Sequence, residues 1–127
     1  MTHRDICIRF IVRNGAEERR YKAVGFLNDG EPSVTSDEMF ARIAEKHGEA
    51  IGEEDALYID ARLNLDKTDG HLYPFCLVTS QHGPGGDPRI ILGFSFRGFA
   101  WFRSWILGQD QFDGNHLVIC RNNDPPA

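Results

Sequence analysis

The first part of the chain alternates between apolar and polar residues. Every second position from residue 6 onward is apolar: Ile6, Ile8, Phe10 and Val12. A period of two predicts a strand with one buried face, which we place over residues 5–13. Asn14-Gly15 follows and is typical of a hairpin turn, so residues 20–27 are predicted to return as a second strand. The faces of that strand stay open, because one more residue in the loop would exchange them.

A helical spacing replaces the alternation after a loop at residues 29–34. Thr35 and Glu38 form a capping box, in which a hydroxyl caps the first turn and an acid lies three residues later. The apolar residues that follow share one side of a helix: Met39, Phe40, Ile43 and Ala44. Gly48 suits a helix end, and the pattern therefore predicts a helix over residues 36–47.

A second helix is predicted over residues 53–62. Its first turn would contain Glu53, Glu54 and Asp55, and acids in a first turn suit the positive end of the helix dipole. Residues 57–60 are also short and apolar enough to form a strand, and this alternative stays open.

Strand-like runs occupy most of the remaining chain, at residues 73–80, 89–96, 99–107 and 115–121. The polar stretch 64–71 reads as a loop, and the Gly- and Pro-rich stretch 81–88 reads as a turn. Residues 99–107 also fit an amphipathic helix that ends at Gly108. Their aromatic content favours a strand, so the strand is the interpretation that we adopt.

The resulting order, β-β-α-α-β-β-β-β, predicts an α+β fold. Runs of strands around a helical insert are typical of an antiparallel sheet with both helices packed on one face. The 127 residues correspond to a single domain, which we place at residues 1–121. Residues 122–127 form a polar C-terminal tail.

Aromatic residues are concentrated in the segment 94–105. With a two-residue turn at Arg97-Gly98, Phe94 pairs with Trp101, and residues paired across antiparallel strands share a face. This register collects one apolar face that is predicted to join the core: Ile90, Leu92, Phe94, Phe96, Phe99, Trp101 and Trp105.

The same register makes two further predictions. Arg103 would lie on the core face, where a guanidinium needs a carboxylate or an aromatic ring, and the acidic helices can supply the carboxylate. The opposite face would hold Ile91, Phe102 and Ile106. Unless the N-terminal hairpin covers these side chains, they form a candidate interaction patch.

Charge is unevenly distributed along the chain. Residues 1–28 hold six basic and three acidic side chains, and residues 29–69 hold four basic and twelve acidic ones. The basic hairpin is predicted to meet the chain's own acidic helices rather than phosphates. The net charge of −5 makes nucleic acid an unlikely partner.

Cellular context is inferred from composition. No apolar run reaches the ~18 residues of a membrane helix, and the N-terminus is too charged for a secretory signal, so we expect a cytoplasmic protein without a membrane partner. Three cysteines without close spacing do not predict a disulfide framework or a zinc site. We expect Cys7, Cys76 and Cys120 to be buried small apolar residues, with a reactive thiol as the alternative.

No phosphate-loop, dinucleotide, zinc-protease or nucleophile-elbow motif is present. Catalytic, cofactor-binding and metal-binding residues are therefore not assigned, and we expect no cofactor. A candidate loop ligand site precedes the last strand at Asp110, Asp113, Asn115 and His116. Its oxygens can hold calcium, although Asp113-Gly114-Asn115 is also an ordinary turn.

Between Val34 and Arg121 the sequence resembles a group of small uncharacterised bacterial proteins. The similar stretches read VTSDEMFARIA, GEEDALYI, LYPFCLVTS, FAWFRSWILGQD and DGNHLVICR. The resemblance implies helices followed by a strand meander with paired tryptophans, and it departs at His116, where a basic residue is usual. The group has no assigned activity. Two helices before a meander are also similar to the C-type-lectin-like arrangement, which by analogy implies a ligand-binding domain.

Three classes of function follow from the sequence. The first is a non-enzymatic protein-interaction module that uses residues 89–107 to bind a protein or itself, with an acidic inhibitor built on residues 29–69 as a variant. The second is a small-ligand-binding domain that uses the loops 81–88 and 108–115. An enzyme of unrecognised type ranks last.

Overall fold

Six strands and two helices make up the described part of the chain. The computed structural model describes residues 2–62, 75–83, 90–97, 100–107 and 111–122. The strands are β1 (Cys7–Asn14), β2 (Glu17–Val24), β3 (Cys76–His82), β4 (Ile90–Arg97), β5 (Ala100–Leu107) and β6 (His116–Arg121). The helices are α1 (Ser36–His47) and α2 (Glu53–Arg62). A short 3-10 helix at His3–Asp5, which was not predicted, precedes β1.

The two helices lie at their predicted bounds. Thr35 caps α1, where its Oγ1 accepts a hydrogen bond from the Glu38 N–H at 3.3 Å, and Gly48 ends the helix. α2 begins with three acids, so the strand alternative for residues 57–60 is wrong. Neither helix in the described ranges is long and apolar enough to cross a membrane.

All six strands form one sheet in the order β1-β2-β6-β3-β4-β5. The four outer pairs are antiparallel, but the central pair, β3 with β6, is parallel. The prediction of an antiparallel sheet is therefore wrong at its centre. β3 and β6 are buried on both faces over most of their length. Their sequences consequently lack the alternation that would have indicated a partner and a direction.

The helices pack on opposite faces of the sheet, which corrects the prediction that both lie on one face. Met39 and Ile43 of α1 join one core cluster with Val118 of β6. Ala56 and Ile59 of α2 join the other with residues on the alternate positions of the same strand, such as Leu117 and Ile119. Successive residues of a strand point to opposite faces, so the two clusters are separated by the sheet. We call the two sides the α1 face and the α2 face.

The first two strands form the predicted hairpin, but the return strand spans Glu17–Val24 rather than residues 20–27. Asn14 pairs with Glu17 across a loop of Gly15 and Ala16, and Gly15 adopts a left-handed φ of 62°. Phe10 lies opposite Tyr21, and both are buried on the α2 face. The alternation of the first strand is therefore confirmed. The open question about β2 is also answered, because its odd residues Tyr21 and Ala23 point to the α2 face.

β4 and β5 pair in a register displaced by two residues from the prediction. Arg97 pairs with Ala100, and Phe94 lies opposite Arg103 instead of Trp101. A displacement of two preserves the side to which each residue points, because the side-chain period of a strand is also two. Phe94, Leu92 and Trp101 are accordingly buried on the α2 face, and residues 100–107 form a strand rather than a helix.

Part of the predicted core face lies elsewhere or outside the described residues. Trp105 has the predicted orientation but is 47% exposed, because it lies on the edge strand. Phe99 and the side chains of Ile90 and Phe96 are outside the described part of the chain. The same holds for residues 123–127 of the predicted tail.

Candidate interaction surface

β5 forms one edge of the sheet. Among the described strands it pairs only with β4, so its outer backbone groups have no strand partner there. An edge strand presents a row of N–H and C=O groups that can pair with another chain. Over its eight residues, β5 is longer than many edge strands.

Large aromatic side chains flank this edge on both faces. Phe102 is 55% exposed on the α1 face, and Trp105 is 47% exposed on the α2 face. Ile106, the neighbour of Phe102 on the α1 face, is half-buried and packs against the core. Isolated exposed apolar residues are common, but here two exposed aromatic rings lie on the same edge strand.

Ile91 is not part of this surface, which corrects one residue of the predicted patch. It lies opposite Ile106 in β4 but is only 1% exposed and belongs to the α1-face core. β4 is an inner strand and β5 is an edge strand. Core residues therefore cover the side chains of β4 but only part of those of β5. The exposed surface consists of Phe102 and Trp105, with Ile106 at its margin, and we call it the β5 edge surface.

A glycine in β4 explains why Ile106 is partly covered and Phe102 is not. A Cβ atom on Gly93 would lie 2.6 Å from Cδ1 of Ile106. The missing side chain therefore leaves the space into which Ile106 packs. Phe102 lies opposite Ser95 instead, and a shallow depression of about 380 Å³ beside it is lined by Ser95, Phe102, Arg103 and Ser104.

Arg103 has the acidic partner that the sequence predicted. Its Nε lies 3.4 Å from Oδ2 of Asp60 in α2. The Arg103 side chain is more than half exposed, so this pair lies at the rim of the α2 face rather than in the core. Ion pairs with this exposure contribute little to stability, and Arg103 stays accessible at the β5 edge surface.

The basic hairpin meets the acidic start of α2, as predicted. Asp55 accepts hydrogen bonds from the Tyr21 hydroxyl at 2.7 Å and from the Arg121 guanidinium at 2.9 and 3.0 Å. Arg19 adds a contact at 3.2 Å and stacks over the Tyr58 ring at 4.1 Å. Burial alone would raise the pKa of Asp55, but the bonds from Arg121 and Tyr21 outweigh it and hold the pKa below its usual value.

This Asp55 cluster joins α2 to β2 and β6. The carboxylate has donors on both oxygens, so it is held in the ionised state and has no free acceptor role for acid–base chemistry. We assign it a structural function. The sequence indicated only that acids begin the helix; which donors they meet depends on the pairing of β2 with β6.

The predicted loop ligand site is an ordinary turn in its described residues. Oδ1 of Asp113 accepts a hydrogen bond from the Asn115 N–H at 2.9 Å and lies 3.1 Å from Nδ1 of His116. Both contacts engage Oδ1 within the turn. Asp110 lies outside the described residues, and the described part of the chain contains no group of three or more potential metal ligands.

His3 has a structural role that the sequence did not indicate. Its Nδ1 accepts hydrogen bonds from the N–H groups of Phe26 and Leu27, both at 3.1 Å. Nε2 therefore carries the proton and donates it to the His116 carbonyl at 2.9 Å. Gly25 allows this close approach, since a Cβ there would lie 1.8 Å from the His3 carbonyl oxygen. The neutral ring thus links the N-terminal segment to two other parts of the fold.

Burial lowers the pKa of His3 below its usual value of 6.5. The His116 carbonyl and the Asp113 carboxylate act in the opposite direction, because both favour the charged ring, but they do not outweigh burial. A single histidine near the start of a strand carries no periodic or motif signal, so this role could not be found from the sequence.

An open groove of about 610 Å³ lies between α1 and the segment after β2, with Arg4, Phe26, Glu38, Arg42 and Lys46 among its lining residues. Arg42 is committed to internal contacts, because it bonds Glu31 at 2.9 Å and Glu38 at 2.9 Å. The Arg42 bond, with a further bond from the Asn28 N–H, lowers the pKa of Glu31 to about 2. Arg42 is therefore held by contacts within the fold.

The three cysteines are free thiols. Cys120 is buried, as predicted, and burial raises its pKa to about 11, so it is held as an unreactive thiol. Cys7 and Cys76 are half-buried rather than fully buried.

Comparison with known proteins adds no relative to this description. No family model, no curated protein and no solved structure matches the chain. The resemblance to uncharacterised bacterial proteins and the C-type-lectin analogy therefore remain predictions.

Proposed function

We propose that this chain is a non-enzymatic protein-interaction module that receives a β-strand of its partner at the edge of β5. The observation that carries the proposal is the presence of exposed Phe102 and Trp105 on an edge strand whose outer side has no partner among the described strands. Backbone groups of the edge provide the pairing, and side chains on alternate positions provide selectivity, as in other cases of strand addition.

The opposite edge supports the same assignment. β1 presents Arg9 and Arg13 beside its exposed apolar residue, Ile11. Charged side chains on an edge strand discourage pairing with other chains. Arginines on β1 would therefore favour strand addition at β5 over strand addition at β1.

The experiment compares two matched substitutions. Phe102→Asp places a charge on β5, and Ile11→Asp places the same charge on β1, where the parent residue is 42% exposed. We expect both variants to keep the circular dichroism spectrum and melting temperature of the parent. Each form is immobilised and used to capture proteins from cell extract, and its mass is measured in solution over a range of concentrations.

We expect Phe102→Asp to lose a captured protein or a self-associated species that the parent and Ile11→Asp retain. If all three forms capture the same proteins and have the same mass at every concentration, the proposal is wrong. The comparison with Ile11 is needed because a loss of nonspecific binding by exposed apolar side chains would affect both variants equally.

A further inference from the structure

We infer that the strand received at the β5 edge is β5 of a second copy of this chain, paired antiparallel so that Ser104 lies opposite its own counterpart. This inference rests on the proposed function and identifies the partner. Two arguments lead to it: the registers that an antiparallel β5 pair can adopt, and the side chains that each register sets opposite each other.

Symmetry restricts the choice first. A twofold axis normal to the sheet extends it into a continuous twelve-stranded sheet built from two six-stranded halves. Such an axis places the α1 faces of the two copies on the same side of the joined sheet. Residues of the same parity therefore lie opposite each other, and the axis passes through a single residue position of β5.

Repulsion between like charges and the extent of overlap between the two strands then decide which central residue of β5 lies on the axis. An axis at Arg103 sets two guanidinium groups directly opposite each other, and like charges in that arrangement are destabilising. An axis at Phe102 leaves Trp105 opposite residue 99, and an axis at Trp105 leaves Phe102 opposite residue 108. Both of those positions lie outside β5, whose bounds are Ala100–Leu107.

An axis at Ser104 gives every exposed side chain a suitable neighbour. On the α1 face, Phe102 lies opposite Ile106 of the other copy, twice by symmetry, so that apolar side chains cover each other. On the α2 face, Arg103 lies opposite Trp105, where a guanidinium can stack on an indole ring. Arg103 is accessible for this contact, because its side chain is more than half exposed beside Asp60.

The register can be tested by cross-linking. Residues directly opposite in an antiparallel pair have Cα atoms about 4.5–5.5 Å apart, which a disulfide can span. Ser104→Cys therefore reports the axis at this residue. The substitution is made in a Cys76→Ala background, because Oγ of Ser95 lies 3.5 Å from both Cys76 Sγ and Ser104 Oγ. A cysteine at 104 next to Cys76 would otherwise form a bond within one chain.

Three controls accompany the Ser104→Cys protein. Arg103→Cys in the same background places a thiol one residue from the axis, on the other face. Cys76→Ala alone measures any reaction of Cys7 and Cys120. Ser104→Cys with Phe102→Asp tests whether the aromatic contact is required. Each form is first shown to melt like the parent and is then oxidised mildly at about 100 µM, a concentration at which micromolar association is populated.

We expect Ser104→Cys to form a disulfide-linked dimer about 10-fold faster than Arg103→Cys, and Phe102→Asp to suppress it. Equal rates at positions 103 and 104, or a chain that stays monomeric and uncross-linked, would overturn the inference. The proposed function has a separate outcome. If the chain is monomeric but Phe102→Asp still loses a captured protein that Ile11→Asp retains, then self-pairing is wrong and strand addition stands. If capture and cross-linking are both unaffected by Phe102→Asp, both ideas fail.

Discussion

The sheet ends in β1 on one side and in β5 on the other, and the two strands differ in what they present to solvent. On β1, exposed Ile11 lies between Arg9 and Arg13 and pairs with Arg20 of β2. On β5, exposed Phe102 and Trp105 have one guanidinium between them, that of Arg103. Charge on an edge discourages further pairing, so β1 is the less receptive of the two edges and β5 is the edge that we propose to be covered.

The two edges also differ in how α2 holds them. Near β1, Asp55 is nearly buried and has donors on β2 and β6. Near β5, Asp60 makes a longer contact with Arg103, and both side chains are partly exposed. Asp55 therefore joins α2 to β2 and β6 through a carboxylate that is nearly buried, whereas Asp60 and Arg103 form a pair at the exposed rim beside β5.

The largest expected effect separates these two acids. Asp55→Asn should lower the free energy of unfolding by about 1–2 kcal/mol, because it removes the charged acceptor of Tyr21 and two guanidinium groups, of which only that of Arg121 is half exposed to water. Asp60→Asn should cost under about 1 kcal/mol, since its pair is exposed. Urea denaturation of both variants checks this. Equal losses would contradict the difference that we draw between the edges.

The Asp55 cluster also makes stability depend on pH in acid. The pKa of Asp55 is held below its usual value in the folded chain, so the unfolded state binds its proton first as pH falls. The contribution of Asp55 is complete above the unfolded pKa, near 3.8, and is lost as pH falls through the lower folded value. Asp55→Asn should reduce the dependence of the melting temperature on pH between about pH 5 and pH 2.

A second dependence of stability on pH comes from His3, in the N-terminal segment beside β1. Folding lowers the pKa of His3 below 6.5, so the unfolded state binds more protons and stability falls as pH drops below that value. Protonation would also place a proton on Nδ1, which could then no longer accept hydrogen bonds from the N–H groups of Phe26 and Leu27. Between pH 7.5 and pH 5, we therefore expect the parent to lose stability as the pH falls.

The measurement for His3 is a melting temperature at each pH. His3→Gln should be less stable than the parent at pH 7.5 but should lose less on acidification. His82→Gln replaces an exposed histidine at the end of β3 and serves as the control. Asp113 and His116 face His3 from the turn before β6, so Asp113→Asn should change the size of the dependence without changing its sign.

Gly93→Ala tests the packing that shapes the β5 edge surface. The added methyl group would meet Cδ1 of Ile106, and Ile106 must then rotate away from β4. We expect a loss of about 1 kcal/mol in unfolding free energy and a change in self-association measured by sedimentation. Ser95→Ala, at the neighbouring position on the same face, should leave both quantities near those of the parent.

The smallest expected effect on stability belongs to the residues that carry the proposed function. Phe102→Lys and Ile11→Lys should each alter the free energy of unfolding by about 0.5 kcal/mol or less, because both side chains are exposed. Only Phe102→Lys should weaken association. If Phe102→Lys instead destabilises the monomer by several times this amount, the ring belongs to the core and not to a free edge.

Local pattern predicted the elements well. The capping box at Thr35 and the acids at residues 53–55 gave both helices with correct bounds. The alternation from Ile6 to Val12 identified the buried face of β1. These features depend on neighbours within a few residues, and helices and strands have fixed periods that such neighbours reveal.

Longer-range features were predicted less well. The register of β4 with β5 was displaced by two residues, yet the side to which Phe102, Arg103 and Trp105 point was correct, because a displacement of two preserves parity. The exposure of Trp105 and the burial of Ile91 were missed. Parity cannot distinguish an edge strand from an inner one, and that difference decides whether a side chain is covered.

By itself, the sequence determined the two α-helices and six strands of the described part of the chain and, for β1, β4 and β5, which residues of a strand share a face. Only the tertiary structure decided that β6 lies between β2 and β3, that the helices cover opposite faces, and that β5 is an edge. The physical reason is that periodicity records whether a residue is apolar at a given position but not which distant strand will bury it. The exposed aromatic edge at Phe102 and Trp105 arises from that second, long-range choice.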